Sequence, residues 1–275
     1  MSHLIVSGCS YTAYTECWPY MVSKHYGLTL RNMAVASAGN DWIAKSSIFA
    51  AFELLKRGIR GEDILLGVLW THPDRKSFFI DENDTPEWHL LNYEYVTNSD
   101  LYFNPVSFID APLMDPDKQH PPSYCIQRYD NRKSAWVIGH SNTTTYGEVD
   151  TEIDKFRMKY AETFFTKQGA MIELFENILQ VQWFCKVHNI KLLNLYTSDK
   201  NLFFYPDGKI HVKQKYENVK HLFEMVDFSM WCKPGLIEYS RQNNLPFSDS
   251  SHPAESAHQT YVDNIIIPTL DKYFK

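Results

Sequence analysis

Three apolar runs punctuate the amino-terminal part of the chain. Leu4, Ile5 and Val6 form a short run of strand-forming residues closed by Ser7 and Gly8. Residues 28–34 (LTLRNMA) make a second run, and residues 63–70 (DILLGVLW) a third that is nearly continuous. The first and third, without polar alternation, predict strands covered on both faces, and the second also reads as a strand. Helical patterns lie between them. Thr15 or Glu16 starts one, Trp18 and Pro19 suit its first turn, Met21 and Val22 continue it, and Gly27 stops it. Residues 42–58 carry Ile43, Ile48, Phe49, Phe52 and Leu55 at helical spacing, with Gly58 and Gly61 at the end. Two strand, turn and helix units followed by a third strand predict a parallel sheet with right-handed crossovers.

The alternation stops at Thr71. Seven of the thirteen prolines fall between Pro73 and Pro122, among aromatics such as Phe78, Phe79, Trp88, Tyr93, Tyr95, Tyr102 and Phe108, which leaves little room for long helices. Residues 73–158 therefore read as an insertion on a single domain spanning 1–275. It is either a lid that buries its own aromatics or a wall for substrate. Beyond it, Phe164, Ile172, Phe175, Ile178, Leu179 and Phe184 predict a long helix over 160–188. A fourth strand follows at 191–196 (KLLNLY). Then come an irregular stretch with a turn at 205–208 (YPDG), a helix over 234–243, a short fifth strand at 245–247, and a last helix with Ala254, Ala257, Tyr261, Val262, Ile265 and Ile266 on one face.

In such a sheet the residues just past the carboxyl ends of the strands share one crevice. Ser10, Gly39, Thr71, Asp249 and His252 are all expected there. Taken singly, each has an ordinary explanation: Ser10 as a turn or helix cap, Gly39 as a turn glycine, Asp249 as a turn residue, His252 as a cap before Pro253. Taken together they hold the groups that acyl transfer needs. These are a hydroxyl nucleophile on a strand-to-helix turn, an imidazole to take its proton, a carboxylate to orient the imidazole, and backbone donors for the oxyanion. Cys9 offers a rival thiol nucleophile, but its place in the turn points it into the sheet. His258 reads as a packed or capping histidine on the final helix.

Composition narrows the partners. A chain of 275 residues with 44% hydrophobic and 22% charged residues has enough apolar material for one large core. The net charge of -6, with no dense Lys/Arg cluster, argues against nucleic acid or an anionic membrane as main partner. No apolar run is long enough to span a bilayer, and the amino terminus has neither a basic n-region nor an adequate h-region. Five scattered cysteines without a CxxC spacing point to free thiols in a reducing compartment. The expected location is the cytoplasm, or a virus particle, which would leave the same signature.

Three blocks give the chain a family likeness. Gly8-Cys9-Ser10-Tyr11-Thr12 lies near the amino terminus, with Trp18-Pro19 close behind. Asn32-Met33-Ala34 through Gly39-Asn40 follows the second strand, and Asp249-Ser250-Ser251-His252-Pro253, with His258, lies near the carboxyl terminus. In these blocks and their order the chain resembles the SGNH or GDSL-like esterases and lipases, over about 1–72 and 160–275. The resemblance implies a flavodoxin-like three-layer α/β/α sandwich on a five-stranded parallel sheet, without metal or organic cofactor. It also implies Ser10 as nucleophile, His252 as general base, Asp249 as its orienting partner, and the N–H groups of Ser10 and Gly39 as oxyanion donors. Tyr11, Asn40, Trp70 and His72, beside those positions, are expected at the substrate.

Two departures stand out. Cys9 replaces the family's usual Asp before the serine. The family's third block ends in an Asn that donates to the oxyanion, and the matching place here reads Leu69-Trp70-Thr71-His72. Either Thr71 or His72 would have to donate instead. The expected substrate is an acyl ester, with carbohydrate O-acyl groups first because an aromatic insertion suits sugar faces, and lipids or thioesters next. An acyltransferase on the same site, and a weakly active binding or structural module, are the alternatives.

Overall fold

A computed structural model of the chain describes residues 1–13, 17–34, 38–73, 75–81, 134–139, 163–198, 217–248 and 252–274. They form an α/β structure. Strands β1 (His3–Ser7), β2 (Thr29–Asn32), β3 (Ile64–Trp70) and β6 (Lys191–Tyr196) make a four-stranded parallel sheet in the order β2-β1-β3-β6. Helices α1 (Ser10–Ala13), α2 (Trp18–Tyr26) and α3 (Asn40–Lys56) fall between its first strands, and α4 (Lys167–Val187) leads into β6. A separate antiparallel pair joins β4 (Lys76–Asp81) to β5 (Ser134–Gly139) across the proline-rich stretch.

The core explains why β3 reads as an unbroken apolar run. Side chains alternate across a strand, so Ile64, Leu66, Val68 and Trp70 of β3 enter one buried cluster with residues of α3 and α4. Leu65 and Leu69 enter another with Trp18, Tyr20 and Val22 of α2. Gly67 gives α2 its close seat. A Cβ there would lie 2.7 Å from the Trp18 ring and 3.3 Å from Val6, so the indole occupies the space that any larger residue would fill.

Three elements differ from the sequence-based expectation. Helix α4 starts at Lys167, capped by Thr166, rather than near 160, and Phe164 is exposed ahead of it. The segment 245–247 does not join the sheet. Phe247 instead makes a single antiparallel bridge with Pro253, and it is Trp231 that lies parallel beside Asn194 of β6. Main-chain bonds from Asn194 N–H to Met230 and from Cys232 N–H to Asn194 hold that edge. Pro246 removes a donor from the expected strand, which suits a hairpin end better than a ladder. The carboxyl-terminal helix is continuous but not regular. It runs as α7 (Glu255–Tyr261), a π turn (Val262–Ile266) and α8 (Ile267–Phe274). Pro268 lacks an N–H for the regular ladder, and the wider turn lies just before it.

Two further helices, α5 (Glu217–Glu224) and α6 (Leu236–Gln242), complete the described secondary structure. Cys9, Cys17, Cys185 and Cys232 are buried free thiols; burial pushes Cys185 and Cys232 up to about 12. Cys125, Asp249 and most of 73–158 lie outside the described residues. No described helix is long and apolar enough to cross a membrane.

Candidate active site

Ser10 lies where the sequence predicts a strand-to-helix turn and opens the one-turn helix α1 directly after β1. That sharp reversal needs Gly8, because a Cβ there would lie 2.5 Å from the Thr12 hydroxyl and 3.2 Å from Leu69. The turn is then fastened from several sides. Trp18 Nε1 donates to Thr12 Oγ1 at 3.1 Å, Asn32 Nδ2 donates to the Thr12 carbonyl at 2.8 Å, and the Cys17 thiol donates to the Ser10 carbonyl at 3.8 Å. Ser7 Oγ pairs with Ser46 Oγ at 2.8 Å, tying the end of β1 to α3. Ser10 keeps 9% of its surface exposed.

His252 arrives from the opposite end of the chain. Its Nε2 lies 2.8 Å from Ser10 Oγ, a hydrogen bond between residues 242 apart in sequence. A short hairpin places it. The Ser248 N–H and hydroxyl both donate to the His252 carbonyl, at 2.9 and 3.1 Å, and the Ala254 N–H donates to Pro246 at 2.9 Å. The imidazole stacks on the Tyr11 ring, with centroids 4.7 Å apart and planes 27° from parallel. One face of Tyr11, expected at the substrate, is therefore taken by the imidazole.

Asn40 is not a projecting substrate contact. Its side chain is buried and engaged in three hydrogen bonds. Oδ1 accepts from the Thr71 N–H at 3.0 Å, while Nδ2 donates to the carbonyls of Thr71 and His72 at 3.3 and 3.1 Å. This clamp joins the amino end of α3, capped by Gly39 in extended conformation, to the carboxyl end of β3. It settles both main-chain groups of Thr71 and leaves Thr71 Oγ1 buried with no hydrogen-bond partner among the described residues. An orphaned buried hydroxyl is costly in a folded protein, which makes its position informative. His72 is half-buried.

The expectation for Trp70 is corrected. It has no exposed surface, lies in the core cluster beneath the sheet, and donates through Nε1 to Asn194 Oδ1 at 3.0 Å, so it presents nothing to a substrate. Two-residue alternation along β3 puts it on the same face as Ile64, Leu66 and Val68, a signal already present in the sequence. Cys9 is likewise fully buried.

His258 is packed, as its place on the final helix predicts. His258, on α7, is 3% exposed, and its Nδ1 has no partner among the described residues. Burial, reinforced by the nearby His252, depresses its pKa to about 4, so it stays neutral at ordinary pH. The six-residue spacing from His252 was its only sequence signal. Among the described residues, no group of three or more His, Cys, Asp or Glu is placed to hold a metal ion. The chain matches no family model, no curated protein and no solved structure.

Proposed function

We propose that this protein is a serine esterase that forms an acyl-enzyme on Ser10. The observation that carries the reading is the 2.8 Å hydrogen bond between Ser10 Oγ and His252 Nε2, made at the ends of two segments with no local reason to meet. A hydroxyl at the start of a helix, bonded to an imidazole, is the pairing that nucleophilic acyl transfer requires. In this reading Oγ attacks the ester carbonyl as its proton passes to Nε2, and the imidazolium returns that proton to the departing alcohol. Water then hydrolyses the acyl-enzyme with His252 again as base. Asp249 is the proposed orienting carboxylate.

The N–H groups of Ser10 and Gly39 are the proposed main-chain oxyanion donors. Thr71 takes the third place rather than His72, a choice supported by its buried, unsatisfied hydroxyl and by the Asn40 clamp that fixes its backbone. The flavodoxin-like three-layer arrangement belongs to the same proposal, supported by buried clusters that take alternate residues of β3. An acylated carbohydrate is the proposed substrate class, on the aromatic content of the insertion.

Hydrolysis of p-nitrophenyl acetate by the wild type, Ser10→Ala and His252→Gln tests this reading. Wild-type turnover that both substitutions abolish supports it, and equal rates for all three proteins would refute it.

A further inference from the structure

The His252 imidazole meets Ser10 Oγ through Nε2 at 2.8 Å. The described contacts from Ser248 fasten the backbone of His252, not its ring. Tyr11 stacks on the ring itself, with centroids 4.7 Å apart and planes 27° from parallel. Tyr11 is itself 6% exposed and packed in the same core cluster as Cys9, Trp18 and Tyr20. It also follows Ser10 on the same helical turn. One rigid turn therefore carries both the nucleophile and the surface on which its base rests.

Resting on the esterase reading above, we propose that Tyr11 is a positioning residue. It holds the His252 imidazole in line with Ser10 Oγ and favours the imidazolium that forms when the Ser10 proton transfers. In that step the O–H bond of Ser10 breaks, the N–H bond on Nε2 forms, and the ring passes from neutral to cationic. An aromatic face attracts a cation within about 6 Å of its centroid, and attracts a neutral ring less. The stack is thus stronger in the transition state than in the resting enzyme, which is the condition for raising kcat. The face of the ring carries this effect, so the phenolic hydroxyl is not required.

Tyr11→Phe and Tyr11→Leu separate the ring from its bulk. With p-nitrophenyl acetate, Tyr11→Phe is expected within about twofold of wild type, whereas Tyr11→Leu loses about three- to thirtyfold in kcat with KM nearly unchanged. In proton NMR the His252 ring resonances stay shifted by the aromatic ring current in wild type and Tyr11→Phe, and lose that shift in Tyr11→Leu. If Tyr11→Leu does not fold, Tyr11→Met replaces it with the same expectations. A leucine or methionine variant with wild-type kcat, or a phenylalanine variant as impaired as leucine, would overturn the proposal while leaving the esterase reading intact. A wild type without Ser10-dependent turnover would overturn both.

Discussion

The two halves of the Ser10–His252 pair are built differently. Ser10 stands on a turn that the core itself shapes: Gly8 admits Thr12, Trp18 and Asn32 bind Thr12, and Gly67 admits Trp18. His252 stands on a hairpin held by a few main-chain bonds and by a ring stack against Tyr11. Damage to the first side should therefore appear as lost stability, because its contacts are shared with the fold. Damage to the second should appear as lost rate, because the described bonds that hold its hairpin are few and lie apart from the buried clusters.

The sharpest test of that contrast is His252→Gln. It is expected to lower kcat by about four orders of magnitude or more while leaving the thermal midpoint close to wild type, as calorimetry would show. A large fall in the midpoint would mean that the hairpin is as much a part of the core as the Ser10 turn is.

Thr71→Val comes next. It keeps shape and removes only the orphaned hydroxyl, so kcat should fall about a hundred- to a thousandfold, the usual effect of losing one oxyanion donor, and stability should hold or rise. Steady-state kinetics with Thr71→Ser, expected near wild type, checks that the hydroxyl is responsible. Unchanged kcat in Thr71→Val would return the role to His72.

His258 adds a pH dependence on the base side. Its folded pKa of about 4 lies below the ordinary histidine value of 6.5, so between those values the unfolded chain binds a proton that the folded chain refuses. Stability is therefore fully present above that window and is lost as the pH falls through it, by on the order of 3 kcal/mol. Urea unfolding near pH 7 and near pH 4.5 should show a smaller loss for His258→Gln than for wild type. Parallel losses would contradict the assignment.

Gly67→Ala is the mildest break. A methyl group pressed against the Trp18 ring should cost about 1–3 kcal/mol of stability. The kcat of the folded fraction, counted by active-site titration, should stay near wild type. A drop in kcat without a drop in stability would reverse the comparison.

Much of this arrangement can be read from the chain, and the limits have physical causes. Strands β1 and β3 are legible because apolar residues on both faces leave unbroken runs, and Ser10 is legible past the end of the first, whereas His252 reaches it from a hairpin and not from a fifth strand. Trp70 shows the cost of such runs: with no polar residue to mark a face, alternation is easy to overlook and a core tryptophan passes for a site residue. The segment 245–247 has strand-like residues, yet its bridge to Pro253 depends on a hairpin closure that propensity does not reveal. The β4–β5 pair joins Asp81 to Ser134, too far apart in sequence for any local pattern. The Asn40 clamp on Thr71 has no sequence signature, since an Asn after a turn glycine serves equally well as a cap.

Covalent labelling reaches the central claim most directly. A fluorophosphonate incubated with the wild-type protein and followed by peptide mass spectrometry is predicted to leave one phosphonyl group, on the peptide that contains Ser10. Labelling should be lost in Ser10→Ala and strongly slowed in His252→Gln. A label on another residue, or a wild-type protein that stays unmodified under conditions that modify a control serine esterase, would contradict the account.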